Sequence, residues 1–142
     1  MPITNDREIA DILRKAKKIA VIGLSPVPAR PSYGVTRYLI EAGYEIFGIR
    51  PASPPKILGR PAFESLADLK EDVDIIDVFR NSEALTGVVD EVAAWIASGR
   101  KTPIAIWLQE GVSNAEAEMK AEKIGLKVIV SRCILKEHAR LL

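Results

Sequence analysis

Lys18-Ile19-Ala20-Val21-Ile22-Gly23-Leu24-Ser25, running on through Pro26-Val27-Pro28-Ala29-Arg30-Pro31-Ser32, decides the fold. Lys18 to Ile22 is a short apolar run without alternation, as expected of a strand buried on both faces. Gly23 ends the run, and a polar, proline-stiffened loop delivers a helix N-terminus at Ser32. In a parallel α/β sheet such a junction faces the ligand, because loops and helix N-termini gather at the strand carboxyl ends.

The same alternation extends in both directions. Residues 5–16 suit an amphipathic helix with Ile9, Ile12, Leu13 and Ala16 on one face, opened by an Asn5/Glu8 capping box. Beyond the loop, a helix from about Ser32 to Glu41 stops at Ala42-Gly43. The second strand, Tyr44–Ile49, ends at Arg50-Pro51. Residues 51–64 hold four of the nine prolines and the apolar pair Ile57-Leu58, which reads as a loop with an edge strand. Ser65 caps one turn, Leu66–Leu69. The next strand is Asp74–Phe79, and the helix after it carries Leu85, Val88, Val89, Val92, Ala93 and Ile96 at helical spacing up to Gly99. Pro103–Leu108 is a strand leading into Gln109-Glu110-Gly111. Ser113 and Glu116 are spaced as a capping box for a helix closed by Gly125, then come a last strand, Lys127–Val130, and a terminal helix over 134–142. This order predicts a three-layer Rossmann-like α/β sandwich with a mainly parallel sheet, one domain over 1–142, and strand order 3-2-1-4-5 with minor edge additions.

Composition narrows the function classes. The chain has 142 residues, 48% hydrophobic and 27% charged, with a net charge of +1. That balance gives no general attraction to nucleic acid or to a membrane surface, so any basic site must be local. A single cysteine, Cys133, excludes an internal disulfide and suits a reducing compartment. No basic-then-apolar leader and no run of about 20 apolar residues is present, and the expected location is cytoplasmic.

A local basic site is visible at the strand ends. Arg30, Arg50, Arg80 and Arg132 each follow a strand at its carboxyl side, which in a parallel sheet puts them on one edge. Arginine's planar fork matches phosphate, and helix starts near Ser32 and Ser82 add backbone N–H donors. The ligand predicted is phosphorylated. A dinucleotide site would carry G-x-G-x-x-G after the first strand and an acid after the second. Here Ser25 replaces the second glycine and Arg50-Pro51 replaces the acid. NAD is disfavoured, and an adenosine carrying a 3′- or 2′-phosphate is favoured.

Several segments together resemble the small CoA-binding proteins of Rossmann type, similar to the CoA-binding domain of the succinyl-CoA synthetase α-subunit. They are Ile19–Ser25, Arg30-Pro31-Ser32-Tyr33, Gly43-Tyr44 leading to Arg50-Pro51, Val73–Asn81, Trp107–Gly111, and Arg132-Cys133 with Glu137–Leu141. The resemblance implies coenzyme A or acyl-CoA as ligand. It implies that Gly23, Leu24 and Ser25 with Arg30, Ser32 and Tyr33 hold the phosphates, and that Arg50, Pro51 and Lys56 flank the adenine end. Val78, Phe79 and Arg80 would line the path of the nucleotide or pantetheine, and Gln109 to Gly111 its far wall.

No catalytic constellation, metal-ligand cluster or P-loop is evident. His138, the only histidine, reads as structural, as does Asp77, which a helix N-terminus or an arginine is expected to hold. Cys133 reads as a packed or exposed thiol, with a mixed disulfide to CoA as the reactive alternative. Trp95 and Trp107 suit a core or an interface. The reading is a non-catalytic binder of a small nucleotide ligand. The alternatives are an NADP- or other nucleotide-dependent enzyme and a regulatory interaction subunit, and a protein partner or a homo-oligomer stays open.

Overall fold

A computed structural model describes residues 1–142. In chain order the elements are α1 (Asp6–Lys15), β1 (Lys18–Ile22), α2 (Pro31–Glu41), β2 (Glu45–Ile49), β3 (Lys56–Ile57), β4 (Arg60–Phe63), β5 (Ile75–Val78), α3 (Leu85–Ala97), β6 (Ala105–Leu108), α4 (Ala115–Lys123), β7 (Lys127–Ile129) and α5 (Ile134–Leu141). One seven-stranded sheet runs β3-β4-β2-β1-β5-β6-β7, parallel except for the β3–β4 pair. Two apolar clusters lie on its two faces. Ala20, Ile22, Ile76, Val78, Ile106 and Leu108 pack under α3 and α4, while Ile19, Val21, Ile75, Ala105 and Trp107 pack under α1, α2 and α5. This is the expected three-layer Rossmann-like sandwich.

The expected strand order needs correction. The Asp74 strand, β5, lies directly beside β1, so the five main strands run 2-1-3-4-5. The place beyond β2 is taken by β4, a short parallel strand inside the proline-rich stretch. Pro61 and Pro55 mask β4 in the sequence. It forms because Leu58 (φ 55°) and Gly59 (φ 72°) turn the chain in the two-residue, left-handed geometry that joins β3 to β4.

Local signals fixed most boundaries. Asn5 Oδ1 accepts from Glu8 N at 3.1 Å at the start of α1. At α4 the cap is Asn114 rather than Ser113: its Oδ1 accepts from Ala117 N, and Glu118 reaches back to Asn114 N at 2.8 Å. The reciprocal cap starts one residue later than expected and is closed by Glu118, four residues on, in place of Glu116. Asp74 pins the amino ends of β1 and β5, because its Oδ2 accepts from the backbone N–H of Lys17 and Lys18 at 2.8 and 3.0 Å. Both tryptophans are core residues. Trp95 and Trp107 are buried, and their indole N–H groups donate to Leu69 O and Arg132 O.

The chain leaves β1 toward β2 on one side and later returns to β5 on the other. Between β1 and β5 the connections therefore diverge, and a crevice opens at the carboxyl ends.

Candidate functional site

Gly23 and Phe79 stand on either side of that divergence. Gly23 N donates to Ile49 O at 2.7 Å and Phe79 N donates to Ile22 O at 2.8 Å, which carries the sheet one residue past each strand end. Gly23 has φ 87°, and a Cβ there would lie 2.3 Å from Phe79 O. Only glycine lets the loop leave β1 this close to β5.

The loop that follows is braced by its own side chains. Ser32 Oγ accepts from Ser25 N at 2.9 Å, and Ser25 Oγ accepts from Val27 N at 3.1 Å. Ser32 is buried, in the first turn of α2. That helix starts with Pro31 and has no side-chain cap; Tyr33 N is taken by Arg30 O at 3.0 Å, and Ser32 N stays free for an anion.

Around this loop the strand ends enclose a cleft of about 940 Å³, large enough for a nucleotide-sized ligand. Of the residues expected at the site, Gly23, Ser25, Arg30, Ser32, Arg50, Pro51, Phe79, Arg80 and Gln109 line it together. Leu24, Tyr33, Lys56, Val78 and Gly111 lie outside its lining. Leu24 is buried and packs over Gly48, while Val78 points into the core under α3. Lys56 is on the outer hairpin. Tyr33 is half-buried in the first turn of α2, and Gly111 donates its N–H to Ser131 Oγ at 3.0 Å.

The four strand-end arginines divide three to one. Arg132 is turned away and pairs with Glu137 at 3.0 Å, and Arg140 ties Glu137 to Asp6 of α1. It joins helices and does not line the cleft, contrary to expectation. Arg30, Arg50 and Arg80 line the cleft, and none has a carboxylate within ion-pair distance. The acids nearby are mostly engaged: Glu110 pairs with Lys136 at 2.9 Å, and Glu91 accepts from Leu66 N at 3.0 Å. Ser82 opens only a short 3-10 turn, where Asn81 Oδ1 already takes Ala84 N.

Under the far wall lies the Asp77–Gln109 pair. Gln109 Nε2 donates to Asp77 Oδ1, and Gln109 Oε1 accepts from Ile134 N at the start of α5 at 3.4 Å. No arginine or helix terminus holds Asp77. Its other oxygen has no partner, and burial pushes the carboxyl up to about 8. His138 lies away from the cleft, with Nδ1 2.8 Å from Tyr38 Oη and its ring edge-on to Tyr38 and Tyr44. Burial lowers its pKa.

Several lining residues were not foreseen. Glu64, Ser65 and Ala67 enter because β4 pairs with β2, and Glu91 reaches in from α3. Cys133 also lines it, where the chain after β7 folds back over the end of β6: its neighbours Arg132 and Ile134 donate their N–H groups to Leu108 O and Gln109 Oε1. No group of three or more His, Cys, Asp or Glu side chains is placed to hold a metal ion. No helix is long and apolar enough to cross a membrane.

Residues 17–139 match the sequence profile of the CoA binding domain. YneT of Bacillus subtilis (strain 168) is 39% identical over 132 residues, 93% of each chain. The structure of cell-free ID.343 from Thermus thermophilus is 40% identical and superposes with a TM-score of 0.88, covering 98% of this chain and all of that one. A dinucleotide-forming acetyl-coenzyme A synthetase of Ca. Korarchaeum cryptofilum shares the fold alone, at 21% identity and TM-score 0.64 over 79% of this chain and 25% of its own. The chain belongs to the CoA binding domain family.

Proposed function

We propose that this chain binds coenzyme A or an acyl-CoA in the cleft, without chemistry of its own. The observation that carries the reading is the trio Arg30, Arg50 and Arg80, guanidinium groups without carboxylate partners on one cleft. In a nearly neutral protein, three unpaired arginines converging beside a free helix donor call for an anion of several charges. In this reading the Ser25–Ser32 loop and the α2 start take the pyrophosphate, and Arg50 beyond β2 takes the ribose phosphate. Phe79 and Val35 offer apolar cover, and Gln109 supports the pantetheine arm.

Calorimetric titration with CoA and with 3′-dephospho-CoA tests the reading. One charge-assisted contact is worth about 1.5–3 kcal/mol, so CoA should bind roughly 10- to 100-fold tighter. Equal affinities refute the ribose-phosphate role, and absence of binding to either refutes the function. Stabilisation by NADP with none by CoA puts the nucleotide-dependent enzyme in its place.

A further inference from the structure

The acids that line the cleft are not equivalent. Glu110 pairs with Lys136 and Glu91 accepts from Leu66 N, but Glu64 has no cation within ion-pair distance and makes no hydrogen bond. It stands beside Arg50, because Ile49 and Phe63 are paired in register and Arg50 N donates to Phe63 O at 3.0 Å. One residue past that pair, the neighbouring strands β2 and β4 present a guanidinium and a carboxylate to the same cleft, and the two do not pair with each other.

We propose that Glu64 fixes which ribose phosphate the cleft accepts. Its carboxylate takes the free 2′-hydroxyl of a 3′-phosphoadenosine and repels a phosphate placed there, while Arg50 holds the 3′-phosphate. This rests on the CoA reading above and goes beyond it, to the group that separates CoA from a 2′-phosphorylated dinucleotide.

The donor and acceptor chemistry matches. A carboxylate only accepts hydrogen bonds, and a guanidinium only donates them. A ribose phosphorylated at one position offers the complement on adjacent carbons, a hydroxyl that donates and a phosphate that accepts. Side chains on strands about 4.8 Å apart can take one each. In a dinucleotide site the acid that reads the ribose stands at the end of the second strand. Here Arg50 has that place, and the acid stands one strand farther out, after β4.

The order of the strands decides which oxygen goes to which residue. Outward from the phosphate loop the strands run β1, β2, β4. With the pyrophosphate held after β1, the ribose enters by its 5′ side, and its 3′ carbon comes before its 2′ carbon. The 3′ position therefore falls at Arg50 and the 2′ position at Glu64. The isomer phosphorylated at the 2′ position would set its phosphate against the carboxylate and leave Arg50 a hydroxyl, so both contacts turn unfavourable.

Calorimetric titration of CoA and of its isomer carrying the phosphate on the 2′-oxygen, into wild type, Glu64→Gln and Glu64→Ala, tests the assignment. The two isomers share charge and composition, so changes in overall charge or stability cancel in the ratio of their affinities. Glu64 is exposed in the free chain, and both variants should fold. Wild type should bind CoA at least about tenfold tighter than the isomer. Both substitutions should bring the two affinities within about threefold of each other, mainly through tighter binding of the isomer. A ratio unchanged in the variants, or a wild type that binds the isomers equally, overturns the proposal and leaves the binding function standing. Absence of CoA binding to wild type removes the function itself and this inference with it.

Discussion

Replacing Gly23 by alanine strikes the junction where β1, β5 and the phosphate loop meet. The added Cβ would lie 2.3 Å from Phe79 O, so backbone must move by most of an ångström. Overpacking of this kind costs about 1–3 kcal/mol. Holding alanine at φ 87° costs about 1–2 kcal/mol, and the Phe79 N to Ile22 O hydrogen bond is at risk for about 1 kcal/mol. The sum is about 3–6 kcal/mol. In a chain of 142 residues that lowers the melting temperature by about 10–20 °C. Gly34→Ala is the internal control. Gly34 sits in α2 with open space around its would-be Cβ and no positive φ, so alanine there should add about 0.5–1 kcal/mol. Thermal melts of the two variants beside the wild type give the comparison. A Gly23→Ala protein melting within about 2 °C of wild type would refute the close-approach argument.

Other consequences concern protons, caps and hydrogen bonds. Asp77 is raised to about 8 in the fold from an ordinary 3.8, so the folded state holds a proton that the unfolded chain releases above pH 4. Its contribution to stability is complete below about pH 4 and declines, by at most about 1.4 kcal/mol per pH unit, until about pH 8. Asp77→Asn should lose that slope in denaturant titrations between pH 5 and 8. His138 has the opposite sign, its contribution full above its ordinary value and lost as pH falls; it is common to both proteins and cancels in the difference. Asn114→Ala should cost about 1 kcal/mol by chemical denaturation, and Ser113→Ala within about 0.5 kcal/mol of nothing. Tyr44→Phe should cost about 1 kcal/mol in the same assay, through the bond from its hydroxyl to Leu13 O.

The sequence was most legible where a local pattern carries the information. The unbroken apolar run of β1, the Asn5 cap and the helical spacing from Leu85 to Ile96 need only neighbours to be read. What it hid depends on contacts across the chain. β4 has a proline in its second position and is a strand only because β2 lies beside it. Asp77 finds its partner 32 residues away in Gln109. Leu24 follows Gly23 in the loop, yet turns inward over Gly48 once the chain bends. Arg132 shares its position after a strand with the three cleft arginines, but Glu137 one helical turn into α5 claims it. Strand-end position therefore identified the basic edge, and side-chain pairing decided which members of it face the cleft.

The central claim is that the unpaired arginines, and not the basic edge in general, hold the ligand. Titrating CoA into Arg50→Gln and Arg132→Gln, each first shown to be folded by its melt, tests this most directly. Arg50→Gln should weaken binding about 10- to 100-fold, and Arg132→Gln should leave it within about twofold. Equal losses in the two variants, or an unchanged affinity in Arg50→Gln, would contradict the account.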